Sequence, residues 1–222
     1  MKIKELTVYV EDLGKVKTFY KDLLNFPVLF EEKEKMGFKI GASILIFEKC
    51  HHEMPCYHFA INIPSNMEHR VLEWLQKKTI ILTFQGDPIV DFVDWNAKAI
   101  YCFDHNGNIL EFIARKNLNI KVEGDFEVGH MIGISEIGLA CDDIPSIYDA
   151  LSSRCDLKFY YGDFQGFCAL GDEFGLFILV DKTKRFWFPS TQLAQPADFR
   201  LTMEQDGVKY TIKYSSKRLK IM

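Results

Sequence analysis

The chain has no apolar run of membrane-spanning length, and Met1-Lys-Ile-Lys-Glu5 is not followed by the apolar core of a signal peptide. A soluble, cytoplasmic protein with no membrane partner is expected. Six cysteines (50, 56, 102, 141, 155 and 168) never form a C-x-x-C pair, which excludes a zinc ribbon and a dithiol redox motif. Several lie in apolar runs, where a reduced cysteine acts as a small hydrophobe. A net charge of −4 and a pI near 5.9 give no electrostatic reason for a nucleic-acid partner. The basic stretch Lys209–Lys220 is short, interleaved with apolar residues, and reads as a solvated strand edge. Phosphate-binding loops, dinucleotide fingerprints, and Ser-His-Asp or Cys-His nucleophile arrangements have no match. No histidine follows His130.

What is present is a large apolar interior and a repeat. Hydrophobic content of 48%, with 19 phenylalanines among 222 residues, is ample for a globular core. Glu5–Val10 alternates as a strand, and Asp12 is placed to cap a helix over Leu13–Leu24, where Val16, Phe19, Tyr20, Leu23 and Leu24 recur at helical spacing. Strands are predicted near Val28–Glu32, Gly37–Ile40 and Ser43–Glu48. After a polar linker over 50–55, the order returns. A strand at Tyr57–Ile63 precedes a helix through Val71, Leu72, Trp74 and Leu75, a β-rich stretch at Thr79–Phe84 and a closing hairpin. A third copy opens at Glu136–Asp143, with a helix over Pro145–Ser152 and strands at 157–161, 167–170 and 176–180. A fourth is eroded: Lys182–Asp198 looks irregular, and Phe199–Met203 and Val208–Ser215 flank a hairpin signal at Gln205-Asp-Gly207.

The stretch Tyr101–Phe112 concentrates the chemistry. Asn106-Gly107 suits a tight turn between two strands. Glu111 then sits between Leu110 and Phe112. A carboxylate there is either on a solvated face, since strand side chains alternate, or buried with a partner.

Asp104-His-Asn-Gly-Asn-Ile-Leu-Glu111 resembles the D-P-x-G-N-x-x-E ending of the glyoxalase, bleomycin-resistance and extradiol-dioxygenase (vicinal oxygen chelate) superfamily, with His105 in place of proline. Lys4–Leu13 resembles that family's D-H-x-x-L-x-V-x-D-L opening, with Glu5 where many members have histidine. Tyr57-His-Phe-Ala-Ile61 resembles the opening of the second unit in fosfomycin-resistance-like members. The resemblance implies an α+β fold of repeated βαβββ modules in cupped mixed sheets, here three modules plus a C-terminal β-hairpin. It implies a complete domain over residues 1–115, a linker over 116–132, and a half-domain over 133–222, in a monomer or homodimer.

By the same resemblance, Glu5, His58 and Glu111 are the implied ligands of one divalent metal: iron, manganese, nickel or zinc. One imidazole and two carboxylates suit these ions. The fourth ligand of glyoxalase I would fall near Ile46, which cannot serve. Glu136 repeats the acidic opening, but Leu179 stands where Glu111 would align, so the third unit builds no second site. His51, His52, His69 and His105 are assigned no role. The implied function is a metal-dependent enzyme on a small oxygen-bearing molecule, of ring-cleaving dioxygenase, lyase or isomerase type. The alternatives are a metal-free sequestering module of bleomycin-resistance type and a non-catalytic structural or regulatory member.

Overall fold

The computed structural model describes residues 1–52 and 55–222; part of the expected linker, residues 53 and 54, lies outside them. The first unit runs β1 (Lys2–Val10), α1 (Leu13–Val16, widening to π geometry over Lys17–Leu23), β2 (Val28–Glu31), β3 (Lys35–Ile40) and β4 (Ser43–Lys49). Asp12 caps α1 through its side chain, which accepts from the amides of Gly14 and Lys15. The second unit contains β5 (His58–Ile63), α2 (Glu68–Gln76), β6 (Ile81–Leu82), β7 (Val90–Phe92), β8 (Ala97–Phe103) and β9 (Ile109–Arg115). The third contains β10 (Gly133–Cys141), α3 (Ile144–Cys155), β11 (Phe159–Gly162), β12 (Phe167–Asp172) and β13 (Gly175–Asp181). The chain ends in an antiparallel meander, β14 (Phe199–Gln205), β15 (Val208–Ser215) and β16 (Arg218–Ile221), one strand longer than the expected hairpin.

These strands form two sheets. One has the order β16-β15-β14-β1-β4-β3-β2; the other has the order β11-β12-β13-β10-β5-β9-β8-β6, with β7 also paired to β8. The pairing differs from a division that groups the first two units in one domain. β1 gives its free edge to β14, and β5 gives its free edge to β10. The second and third units therefore share one sheet, and the first unit shares the other with the C-terminal meander. Each opening strand had one unpaired edge to satisfy, and the nearest complementary strand was not the one adjacent in sequence.

One continuous apolar core unites the two sheets and the helices, drawing Leu6, Val8, Phe38 and Phe47 from the first sheet and Phe59, Leu110, Phe112 and Phe177 from the second. Each of these side chains contributes about 1.5–3 kcal/mol by leaving water. Two polar links fasten the units. Tyr20 donates to the Asp104 carboxylate at 2.8 Å, and that carboxylate also accepts from the amides of Asn106 and Asn108, holding the β8–β9 turn on α1. Ser43 donates to the Ile3 carbonyl and accepts from the Ile134 amide, where the two sheets meet. Gly41 belongs to this junction: its φ is +52°, and a β-carbon there would fall 2.2 Å from the carbonyl oxygens of Met131 and Ile132.

Candidate metal centre

The face of the second sheet turned away from this core carries the polar residues singled out by the sequence. Leu110 and Phe112 point into the core, so alternation sends Glu111 to the opposite face. There it is not solvated: Glu111 is 2% exposed, His58 7% and Glu136 2%. Ala60 on β5 is in register with Glu111 on one side and Glu136 on the other. The small alanine lets two carboxylates converge over it, and His58 lies two residues earlier on the same face. The candidate ligand atoms of His58, Glu111 and Glu136 all lie within 4.8 Å of one another. Tyr101 on β8, in register with Glu111, borders the group.

His58 and Glu111 are therefore brought together, but Glu5 is not with them. Glu5 lies on β1 in the other sheet, partly exposed, between Ile44 and Thr202. The third candidate donor beside them is Glu136. The correction follows from the pairing: a ligand from an opening strand must come from the strand lying against β5, and that strand is β10. The repeat of an acidic opening at Glu136 was the available signal. What the sequence alone did not show was that the third unit completes the second unit's site and needs none of its own.

The site's charges are paired among themselves. His58 Nε2 lies 2.9 Å from Glu111 Oε2. Arg115, fully buried, donates through Nη2 to Glu136 Oε1 and through Nε to Asn62 Oδ1 at 3.2 Å, and its Nη1 has no partner among the described residues. Burial, and then the charge of Glu111, push the Glu136 carboxyl up to about 7, with Arg115 and His58 opposing. For His58, burial works against the charged ring, but the hydrogen bond to Glu111 and the charges of Glu111 and Glu136 outweigh it, so the imidazole is raised. Burial and the same two carboxylates hold the Tyr101 phenol well above its ordinary value.

A strap between β13 and β14, the stretch that looked irregular in sequence, covers the group. Trp187 is 3% exposed; its Nε1 donates to the Cys56 carbonyl at 3.1 Å and its ring lies 5.7 Å from that of His58. Gly138 on β10 makes room for it, since a β-carbon there would fall 2.6 Å from the Trp187 ring. Phe188 packs on Tyr101, Phe92 and Phe84. The cavity beneath the strap measures about 300 Å³. His58, Glu111 and Glu136 form its floor, and Phe92, Trp95, Phe167, Phe186, Trp187 and Phe188 supply most of its walls.

The donor set fits a divalent ion. One imidazole nitrogen and two carboxylates are the mixed hard and borderline ligands such ions take, and three donors leave coordination positions open. Metal binding at such a donor set displaces the protons that the donors would otherwise carry.

A family model for the Glyoxalase/Bleomycin resistance protein/Dioxygenase superfamily matches residues 2–155. No curated protein matches the chain in sequence. Among solved structures, a candidate dioxygenase from Bacillus subtilis subsp. subtilis str. 168 superposes with a TM-score of 0.65 at 12% identity, covering 99% of this chain and 83% of its own. That similarity shows the fold over the whole chain. An integron cassette protein from the mobile metagenome of the Halifax Harbour sewage outfall is 22% identical, over 50% of this chain and 97% of its own, with a TM-score of 0.45. The fosfomycin resistance protein FosX from Listeria monocytogenes, solved with Mn(II) and sulfate, is 19% identical over 50% of this chain and 86% of its own, with a TM-score of 0.39.

Proposed function

The chain belongs to the Glyoxalase/Bleomycin resistance protein/Dioxygenase superfamily, and from that premise we propose that it is a divalent-metal-dependent enzyme acting on a small oxygen-bearing molecule, with His58, Glu111 and Glu136 as the metal ligands. The observation that carries this reading is the convergence of three buried donors within 4.8 Å at the floor of an aromatic cavity. Two carboxylates buried side by side repel, and a cation between them relieves that cost. A divalent ion held there supplies Lewis acidity toward oxygens of a chelating ligand.

The chain's own residues do the rest. Arg115 orients Glu136 and keeps one of its oxygens occupied, which leaves the other for coordination. Glu111 Oε2, 2.9 Å from His58 Nε2, fixes the direction in which the imidazole presents that nitrogen. Trp187 and the phenylalanines of the strap surround the site with apolar side chains, which strengthen the interaction of its charges with charge developing on a ligand oxygen. Lewis-acid activation of a chelated oxygen is common to dioxygen insertion, isomerisation and elimination.

Metal analysis of protein purified without chelator tests it. We expect close to one equivalent of iron, manganese, nickel or zinc per chain in the wild type, and loss of that ion in His58→Ala and Glu136→Ala. Second-site Cys102→Ala, on the core face of β8, is expected to keep it. A chain that purifies without metal, and whose Glu136→Ala variant binds an aromatic ligand unchanged, identifies instead a sequestering module.

A further inference from the structure

The cavity's polar groups stand at two ends. The ligand donors form the floor, and Arg185, on the strap, lines the cavity as its one arginine or lysine among the described residues. Between them the walls are aromatic and aliphatic. Arg185 is exposed, and its guanidinium lies close over Gly166, where a β-carbon would meet Nε at 3.2 Å and Nη2 at 3.5 Å. Its backbone is tied to the strap by the Ala194 amide, which donates to the Arg185 carbonyl at 3.2 Å.

That guanidinium forms no ion pair with a described carboxylate. Asp163 is near enough to feel its charge, and its Oδ1 accepts from the amides of Gln165 and Gly166 at 2.9 and 3.1 Å rather than from the guanidinium. An exposed arginine that lines an apolar cavity, with no ion-pair partner among the described residues, presents a planar fork that matches a carboxylate.

We propose that the cavity takes an organic acid, with a ring-bearing apolar body against the aromatic walls, its carboxylate on Arg185, and its far end at His58, Glu111 and Glu136. The volume limits the body to one or two rings, because about 300 Å³ is the lower end of small-molecule sites. This rests on reading the cavity as the ligand site of the proposed enzyme, and it adds the ligand's chemical class.

The test compares 2-naphthoate with 2-naphthamide, equal in shape and different in charge. Binding is read from quenching of tryptophan fluorescence, since Trp95 and Trp187 line the cavity. Chelator-treated protein is used first, so that a carboxylate cannot simply coordinate a metal. The wild type is expected to bind the acid about tenfold tighter than the amide. Arg185→Gln should remove that preference while leaving amide affinity unchanged, and Arg185→Lys should restore part of it. Gly166→Val, which displaces the guanidinium without removing its charge, should also reduce the preference. Equal affinities in the wild type, or a preference that survives Arg185→Gln or Gly166→Val, would overturn the proposal. The metal reading fails separately: if Glu136→Ala leaves metal content unchanged while the acid preference stands, the ligand class survives and the ligand set does not.

Discussion

The two sheets begin alike and end differently. β1 and β10 each carry a one-residue bulge, between Ile3 and Glu5 in one and between Ile134 and Glu136 in the other, and each presents a glutamate just after it. Around Glu136 the neighbouring strands bring Ala60, His58 and Glu111; around Glu5 they bring Thr202, Arg200 and Ile44. Thr7 occupies the place in β1 that Gly138 occupies in β10, two residues after the glutamate. Glu5 remains partly in water, whereas Glu136 lies beneath the strap. The difference teaches that the ligand set belongs to a pair of whole modules. A histidine at a strand opening and a glutamate in a last strand come from a complete second unit, and the meander that pairs with β1 has neither.

The largest break in this comparison is expected at its two arginines. Arg115 is fully buried and paired with Glu136, and Arg200 has a side chain 43% exposed, with Glu48 at 3.9 Å and Thr7 at 3.4 Å. Arg115→Met leaves Glu136 buried without its cation and should cost about 3–5 kcal/mol, read from urea unfolding of metal-free protein. Arg200→Met should cost about 1 kcal/mol or less. Similar costs for the two would mean that the second sheet's floor is as wet as the first sheet's face.

A smaller effect should come from making the covered sheet resemble the open one at a single position. Gly138→Thr copies Thr7 into β10. Its β-carbon would fall 2.6 Å from the Trp187 ring and 3.2 Å from the His58 carbonyl oxygen, so the strap must lift. Overpacking of this kind costs about 1–3 kcal/mol. Trp187 should move toward water, giving a red-shifted emission maximum and easier quenching by iodide. An unchanged spectrum would mean that the strap does not rest on β10.

The repeat itself was legible because its signals are local. Asp12 and Asp143 stand before helices they cap, Asn106-Gly107 makes the β8–β9 turn with Gly107 at φ +85°, and period-2 and period-3.6 patterns placed most strands and helices within a few residues. His58 and Glu111 were legible for the same reason, since parallel neighbours in one unit stay together wherever that unit packs. Glu136 was not, because its place depends on which unit lies against the free edge of β5, a contact between strands about 75 residues apart. Arg115 and Arg185 were invisible for a related reason: each is an ordinary surface-type residue in the sequence, and only the pairing of β9 with β5 and the course of the strap give them their surroundings.

The smallest expected effect bears most directly on how such sites are assembled. Glu5 and Glu136 hold equivalent places after equivalent bulges; resemblance to the opening motif put the ligand at Glu5, and strand pairing puts it at Glu136. If pairing decides, Glu5→Ala removes a partly solvated carboxylate whose neighbours in register are Ile44 and Thr202. Its stability should then stay within about 0.5 kcal/mol of the wild type, as for surface substitutions generally. Its metal content and its affinity for 2-naphthoate should also be unchanged, while Glu136→Ala in the same preparation loses the metal. The two variants can be compared directly because each replaces a strand glutamate by alanine at the same position of the repeat. If Glu5→Ala lost the ion and Glu136→Ala kept it, the first two units would have to share a cleft in solution, and residues 1–115 would be the functional domain after all.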